Sequence, residues 1–262
     1  MSLIRRTLTR RALAGLIALA PTRAWADAPP LVAAASDLTG ALPVIAERFR
    51  RAGGGPVRLT FGSSGSLTRQ IEAGAPFEVF LSAEAALVDR LIRSGRAEGP
   101  GYPYGRGRLV LFARKGSRVA AAGGAGELVR ALREDRLRRL AIANPDHAPY
   151  GRAAREVLKS LGAWDLAAPR LVVGDSAAQA ARFALSGGAD AGLLPLSLAL
   201  GPELARAGSF GRIDSNLHAP LVQSAAVLRG AGRSARAFFA FLSSAAARSV
   251  LRDFGLTPDA GA

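Results

Sequence analysis

The sequence predicts an α/β protein of two lobes, each a mostly parallel sheet flanked by helices. Three observations carry that expectation. Short apolar runs alternate with stretches at helical spacing along most of the chain. Serines mark the places where a run gives way to a helix: Ser36, Ser63–Ser64, Ser82 and Ser176. The strand–turn–helix layout is then repeated in a second block, without a residue-level repeat.

In chain order, Leu31–Ala35 is a buried strand, and Leu38, Leu42, Ile45 and Phe49 follow at helical spacing. Ser36 or Asp37 is placed to cap that helix, and Pro43 is tolerable near its start. Val57, Leu59 and Phe61 alternate with Arg58 and Thr60, the period of a half-buried strand. Residues 77–81 form a third strand, with a helix after Ser82-Ala83-Glu84 carrying Leu87, Leu91 and Ile92. Gly99 to Gly107 reads as a loop, 109–113 as a strand and Ala120 to Gly126 as a flexible stretch. The second block has strands at 140–143 and 171–174, with a compact loop from Asn144 to Gly151 between the first of these and its helix. Asp175-Ser176 caps a helix from Ala177 to Leu185, and Gly187-Gly188 turns into the next strand. A strand at 221–228 and helices near 233–243 and 244–254 close the chain. The expected division is 27–108 with 219–262 as lobe 1, and 109–218 as lobe 2.

Residues 1–26 read as an export signal. Arg5, Arg6, Arg10 and Arg11 precede the apolar run Ala12–Ala20, and Ala24-Trp25-Ala26 is an A-x-A cleavage site. Thr9-Arg10-Arg11-Ala12-Leu13 loosely matches a twin-arginine signal, so both export routes stay open. The expected product is periplasmic, cleaved after Ala26. Cleavage removes five arginines (the fifth is Arg23) and no acid, so the net charge of +15 becomes 15 − 5 = +10. The excess is scattered, which argues against a nucleic-acid partner and for a cationic surface that favours anionic solutes. There are no cysteines, so neither disulfides, thiolate metal sites nor cysteine nucleophiles are available. No apolar run reaches the roughly 18 residues that span a membrane.

The most informative stretch is Phe61-Gly62-Ser63-Ser64-Gly65-Ser66-Leu67. A Gly/Ser turn between a strand and a helix presents free backbone N–H groups, a partial positive charge and hydroxyl donors. It suits an anion. Ligands in parallel sheets sit outside the carboxyl ends of the strands, where these serines fall.

Four stretches resemble the periplasmic molybdate-binding proteins of ABC transporters, which are type II solute-binding proteins. They are Ala33–Ser36, FGSSGSLTRQIEAGAPFEVFLSAE (61–84), ANPDHAPYGRAA (143–154) and GDSAAQAARFALSGGADAG (174–192). The resemblance implies a two-lobed type II periplasmic-binding-protein fold with the ligand cleft between the lobes. It implies a tetrahedral oxyanion, molybdate and also tungstate, held by neutral donors. Carried over, those donors are Ser36 and Ser64, the backbone N–H of Tyr150 and that of Ala177. The metal arrives inside the oxyanion, so the four are molybdate contacts only. The implied partner is the membrane permease of an ABC importer, with the binding protein a monomer, no cofactor and no catalysis.

Three departures accompany the match. Some members carry a tyrosine hydroxyl where this chain has Pro195, and the Tyr150 hydroxyl is a candidate replacement. Asp37 stands beside the site, where an acid repels a dianion; it is expected to point away and cap its helix. Gly65 replaces a serine of the usual run. Alternative ligands are sulfate, phosphate or a small organic anion. A serine hydrolase is the rival class, because 62–66 nearly spells G-x-S-x-G, with His147 and His218 downstream. Ser66 breaks that motif, and no triad context surrounds His218; His147, Ser63, Ser66 and Ser82 are read as structural.

Overall fold

The computed structural model describes residues 28–257. The export signal and its cleavage site lie outside the described residues. The described residues form ten strands: β1 (Leu31–Ala35), β2 (Arg58–Gly62), β3 (Val79–Ser82), β4 (Tyr102–Gly107), β5 (Leu109–Arg114), β6 (Leu140–Ala143), β7 (Leu171–Gly174), β8 (Ala191–Pro195), β9 (Gly208–Arg212) and β10 (Leu221–Val227). They form two five-stranded sheets, ordered β2-β1-β3-β10-β4 and β7-β6-β8-β5-β9.

In the first sheet β1 pairs parallel with β2 and β3, while β10 is antiparallel to both β3 and β4. Four strands therefore point one way and β10 the other. The second sheet repeats this, with β5 reversed between β8 and β9. The reversed strand in each sheet is the one that follows a crossing from the other: Arg108 alone separates β4 from β5, and 213–220 lead from β9 to β10.

Strand alternation assigns the faces. Val32, Ala34, Val79 and Leu81 point to one side of the first sheet, where Leu42, Ile45, Phe49, Phe238 and Leu251 cover them. Ala33 and Phe80 point to the other, against Leu67, Ile71, Val88 and Leu91. Phe49 meets Phe238 edge-to-face at 5.4 Å. The helices Arg233–Phe241 and Ala245–Asp253 thus return to the first sheet. The second sheet is buried around Leu109–Ala113, Leu140–Ala143 and Leu193–Leu194.

Two stretches differ from the sequence reading. The expected loop over 99–107 contains β4, an edge strand. A sequence rich in Gly and Pro hides it, and Pro103 is tolerated there because an edge strand leaves some N–H positions unpaired. The expected flexible stretch 120–126 is a 3-10 turn (Ala121–Gly123) leading into the helix Gly124–Arg133. Leu128, Ala131 and Leu132 bury that helix, and packing outweighs the glycines in its first turn.

Candidate functional site

The carboxyl ends of β1, β2 and β3 face the second lobe. Ser36 follows β1 and opens a 3-10 turn, Ser36–Leu38; the helix Ala41–Arg51 begins only after Gly40. Neither Ser36 nor Asp37 caps that helix with its side chain. Ser63 caps the helix Ser64–Glu72 by accepting the Ser66 N–H at 3.3 Å. From the second lobe come the first turns of two helices, Pro149–Ser160 and Ala177–Ser186. Ser176 caps the latter, accepting from Gln179 N at 3.3 Å.

These ends surround a small cavity whose lining includes Ser36, Asp37, Ser64, Tyr150 and Ala177. All four sequence-predicted donors are therefore brought to one place. Among the described residues no lysine or arginine lines it. A larger hollow of about 670 Å³ lies beside Gly74, Ser94 and Arg229 on the first lobe alone; none of its lining residues opens a helix.

Ser64 Oγ accepts the Ala83 N–H at 3.0 Å, and Ser36 Oγ accepts the Ala178 N–H at 3.2 Å across the cleft. In each serine a backbone N–H occupies an acceptor position, which leaves the hydroxyl hydrogen to donate elsewhere. The N–H groups of Tyr150 and Ala177 fall at the second and first positions of their helices. Neither has an intrahelical acceptor there, and each sits at the positive end of a helix dipole. Two hydroxyls and two amides suit an oxyanion.

The Tyr150 hydroxyl does something other than was expected. It donates to Asp37 Oδ2 at 3.0 Å and accepts from Gln223 Nε2 at 2.9 Å. Gln223 also donates to Asp37 Oδ2 at 2.7 Å. Burial and the neighbouring Asp37 hold the tyrosine well above its ordinary pKa, so it stays a neutral donor. Gly107 makes the approach possible: a Cβ there would stand 2.3 Å from the Tyr150 hydroxyl oxygen.

Asp37 is likewise not turned away. It is 1% exposed and lines the cavity. Burial pushes its carboxyl up to about 6, against the lowering effect of the Gln223 and Tyr150 hydrogen bonds. Its backbone carbonyl accepts from Ser197 Oγ at 2.8 Å. A sequence offers no signal for this arrangement, because Gln223 is 186 residues away.

The lobes are clasped beside the cavity. Gly65 N–H donates to the His147 carbonyl at 3.0 Å, and Ser63 Oγ lies 2.8 Å from His147 Nδ1. Arg152 pairs with Glu84. Ser63 and His147 thus form a contact between lobes, and among the described residues no carboxylate hydrogen-bonds His147, as a hydrolytic triad would require. Ser82 Oγ is occupied locally, by the N–H and carbonyl of Glu84.

Two α/β lobes meeting over a cleft of neutral donors define a two-lobed solute-binding protein. The chain belongs to the bacterial extracellular solute-binding protein family, whose model matches residues 30–257. It is 35% identical over 228 residues to the molybdate-binding protein ModA of Rhodobacter capsulatus, covering 86% of each chain. It is 34% identical to the ModA of Azotobacter vinelandii, covering 92% of this chain and 93% of that one. A solved structure of the Azotobacter vinelandii periplasmic molybdate-binding protein superposes with a TM-score of 0.80 at 31% identity, covering 87% of this chain and 99% of that one. These relatives are binding proteins; the chain is a binding protein, not an enzyme.

Proposed function

We propose that this chain captures molybdate in the cleft and delivers it to the permease of an ABC importer, working as a periplasmic monomer. The observation that supports this reading is the convergence of Ser36, Ser64, Tyr150 and Ala177 on one cavity without a cation. The molybdate-binding relatives point to the same ligand.

A dianion entering a cleft gives up strong hydration and needs fixed donors in return. The two serine hydroxyls come from the first lobe and the two amides from the second. An oxyanion bonded to all four holds the lobes together, so the closed form is the one it stabilises. Neutral donors leave no ion pair between ligand and protein to break when the importer opens the lobes. Tungstate has the same charge and shape and is expected to bind as well. Sulfate has the same charge on a smaller tetrahedron, and its rejection would rest on the size of the cavity.

A thermal-shift series on the exported form with molybdate, tungstate, sulfate and phosphate tests the reading. A ligand at 100 times its Kd adds about 2.7 kcal/mol of stability. Stabilisation by molybdate and tungstate is expected; a chain that none of the four stabilises would not be an oxyanion carrier.

A further inference from the structure

Asp37, Tyr150 and Gln223 form a buried polar cluster on the cavity wall, and the cluster is short of hydrogen. Tyr150 has one hydroxyl hydrogen and the Gln223 amide two. All three are used: Tyr150 to Asp37 Oδ2, and Gln223 to Asp37 Oδ2 and to the Tyr150 oxygen. Asp37 Oδ1 and Gln223 Oε1 are left buried with no partner. An acceptor buried without a donor is destabilising, more so if charged. Asp37 Oδ1 is the more consequential of the two, because the residue that carries it is part of the cavity lining.

A carboxylate on that wall would repel a dianion, and among the described residues no cation lines the wall to offset it. The side chains that act on the Asp37 carboxyl are Gln223 of β10 and Tyr150 of the helix Pro149–Ser160; Tyr104 of β4 feels its charge in return. Ser197 approaches only its backbone. β2 and the helix Ala177–Ser186 also pack on the turn, and their charged residues, Arg58 and Arg182, are exposed and do not lower it.

We propose that Asp37 carries a proton on Oδ1 when the cleft holds a fully deprotonated oxyanion and donates it to a ligand oxygen, so that each dianion is bound with uptake of one proton from solution. The assignment rests on the oxyanion reading of the cleft. It converts an orphaned acceptor into a fifth donor and removes the one negative charge from the wall. The upward displacement of the Asp37 carboxyl by burial acts in the same direction, and a bound dianion would raise it further. The proton comes from water or buffer; no bond in the ligand breaks. Asp37 thereby makes affinity a function of pH in the range where the free carboxyl is ionised.

The test is calorimetric titration of molybdate at low micromolar protein from pH 6.5 to 8.5, in paired buffers of different ionisation enthalpy. The wild type is expected to take up close to one proton per molybdate at pH 8, with affinity falling about tenfold per pH unit above pH 7. The Asp37→Asn variant, whose amide is a permanent neutral donor, is expected to bind with no proton uptake and a flat pH profile. Molybdate binding by the wild type without proton uptake at pH 8 would overturn the proposal while leaving the oxyanion reading intact. So would uptake that persists in Asp37→Asn, which would put the proton on another group. Absence of molybdate binding in both proteins at every pH would overturn the oxyanion reading and this inference with it.

Discussion

Gly65 donates its backbone N–H to the carbonyl of His147, 3.0 Å away on the opposite lobe. A Cβ at position 65 would stand 2.4 Å from that same carbonyl oxygen. The residue where the sequence lacks an expected serine is therefore a contact point between the lobes, and its missing side chain is what lets them meet. Gly65→Ser would have to push His147 back, opening the clasp. It is expected to weaken oxyanion affinity at least tenfold while leaving the melting temperature of the ligand-free protein nearly unchanged. Titration calorimetry and a melting curve check the two halves; unchanged affinity would contradict the contact.

Ser64 keeps its hydroxyl hydrogen for another acceptor because its oxygen already accepts from Ala83 N, and the proposed acceptor is the ligand. Ser64→Ala removes one hydrogen bond to a charged ligand, worth about 1.5–3 kcal/mol, or roughly a 10- to 150-fold rise in Kd. It also strands the Ala83 N–H, so a modest fall in ligand-free stability should accompany the loss. Measuring both separates the binding role from the structural one.

The Arg152–Glu84 pair joins the lobes at the rim, with about a third of each side chain exposed. A pair so placed contributes about 1 kcal/mol at most. Glu84→Gln should therefore raise the Kd by no more than roughly fivefold, and 0.5 M salt should produce much of the same effect in the wild type. A hundredfold loss would show that this pair, rather than the neutral donors, carries closure.

Asp37 also sets a pH dependence of stability in the ligand-free protein. Its folded-state carboxyl lies near 6, above the ordinary value of 3.8. The folded form thus binds the proton more tightly, and stability falls as pH rises from about 4 to 6, then levels off. Asp37→Asn should stabilise the ligand-free protein at pH 8 by up to about 3 kcal/mol and have little effect at pH 4. Glu127 works in the opposite sense. Buried at 1% exposure between Arg136 and Arg130, its carboxyl is held down to about 2, principally by the Arg136 hydrogen bond. Its stabilisation is full above about pH 4.5 and is lost as pH falls toward 2. Glu127→Gln should cost about 3 kcal/mol at pH 7 and little at pH 2, as read by denaturant unfolding.

Much of this was legible in the chain itself. The serine junctions and the apolar runs of β1, β6 and β7 are local signals, and the four proposed contacts lie at strand–helix turns that a linear reading can find. Asp37 was not legible in that way. Its surroundings depend on Gln223 and Tyr150, which approach from the other end of the chain and from the other lobe. For the same reason the Tyr150 hydroxyl is engaged by Asp37 instead of standing in for a donor at Pro195. β4 was hidden because Gly and Pro, normally loop residues, are tolerated at a sheet edge.

The most direct test of the oxyanion cleft is calorimetric titration of molybdate into the wild type and a Ser36→Ala/Ser64→Ala double variant at pH 7. The wild type is expected to bind at one site with a Kd at or below about 1 μM, equivalent to roughly 8 kcal/mol. The double variant should lose at least a hundredfold. Equal binding by the two proteins, or no binding by the wild type, would contradict a cleft built from these serines.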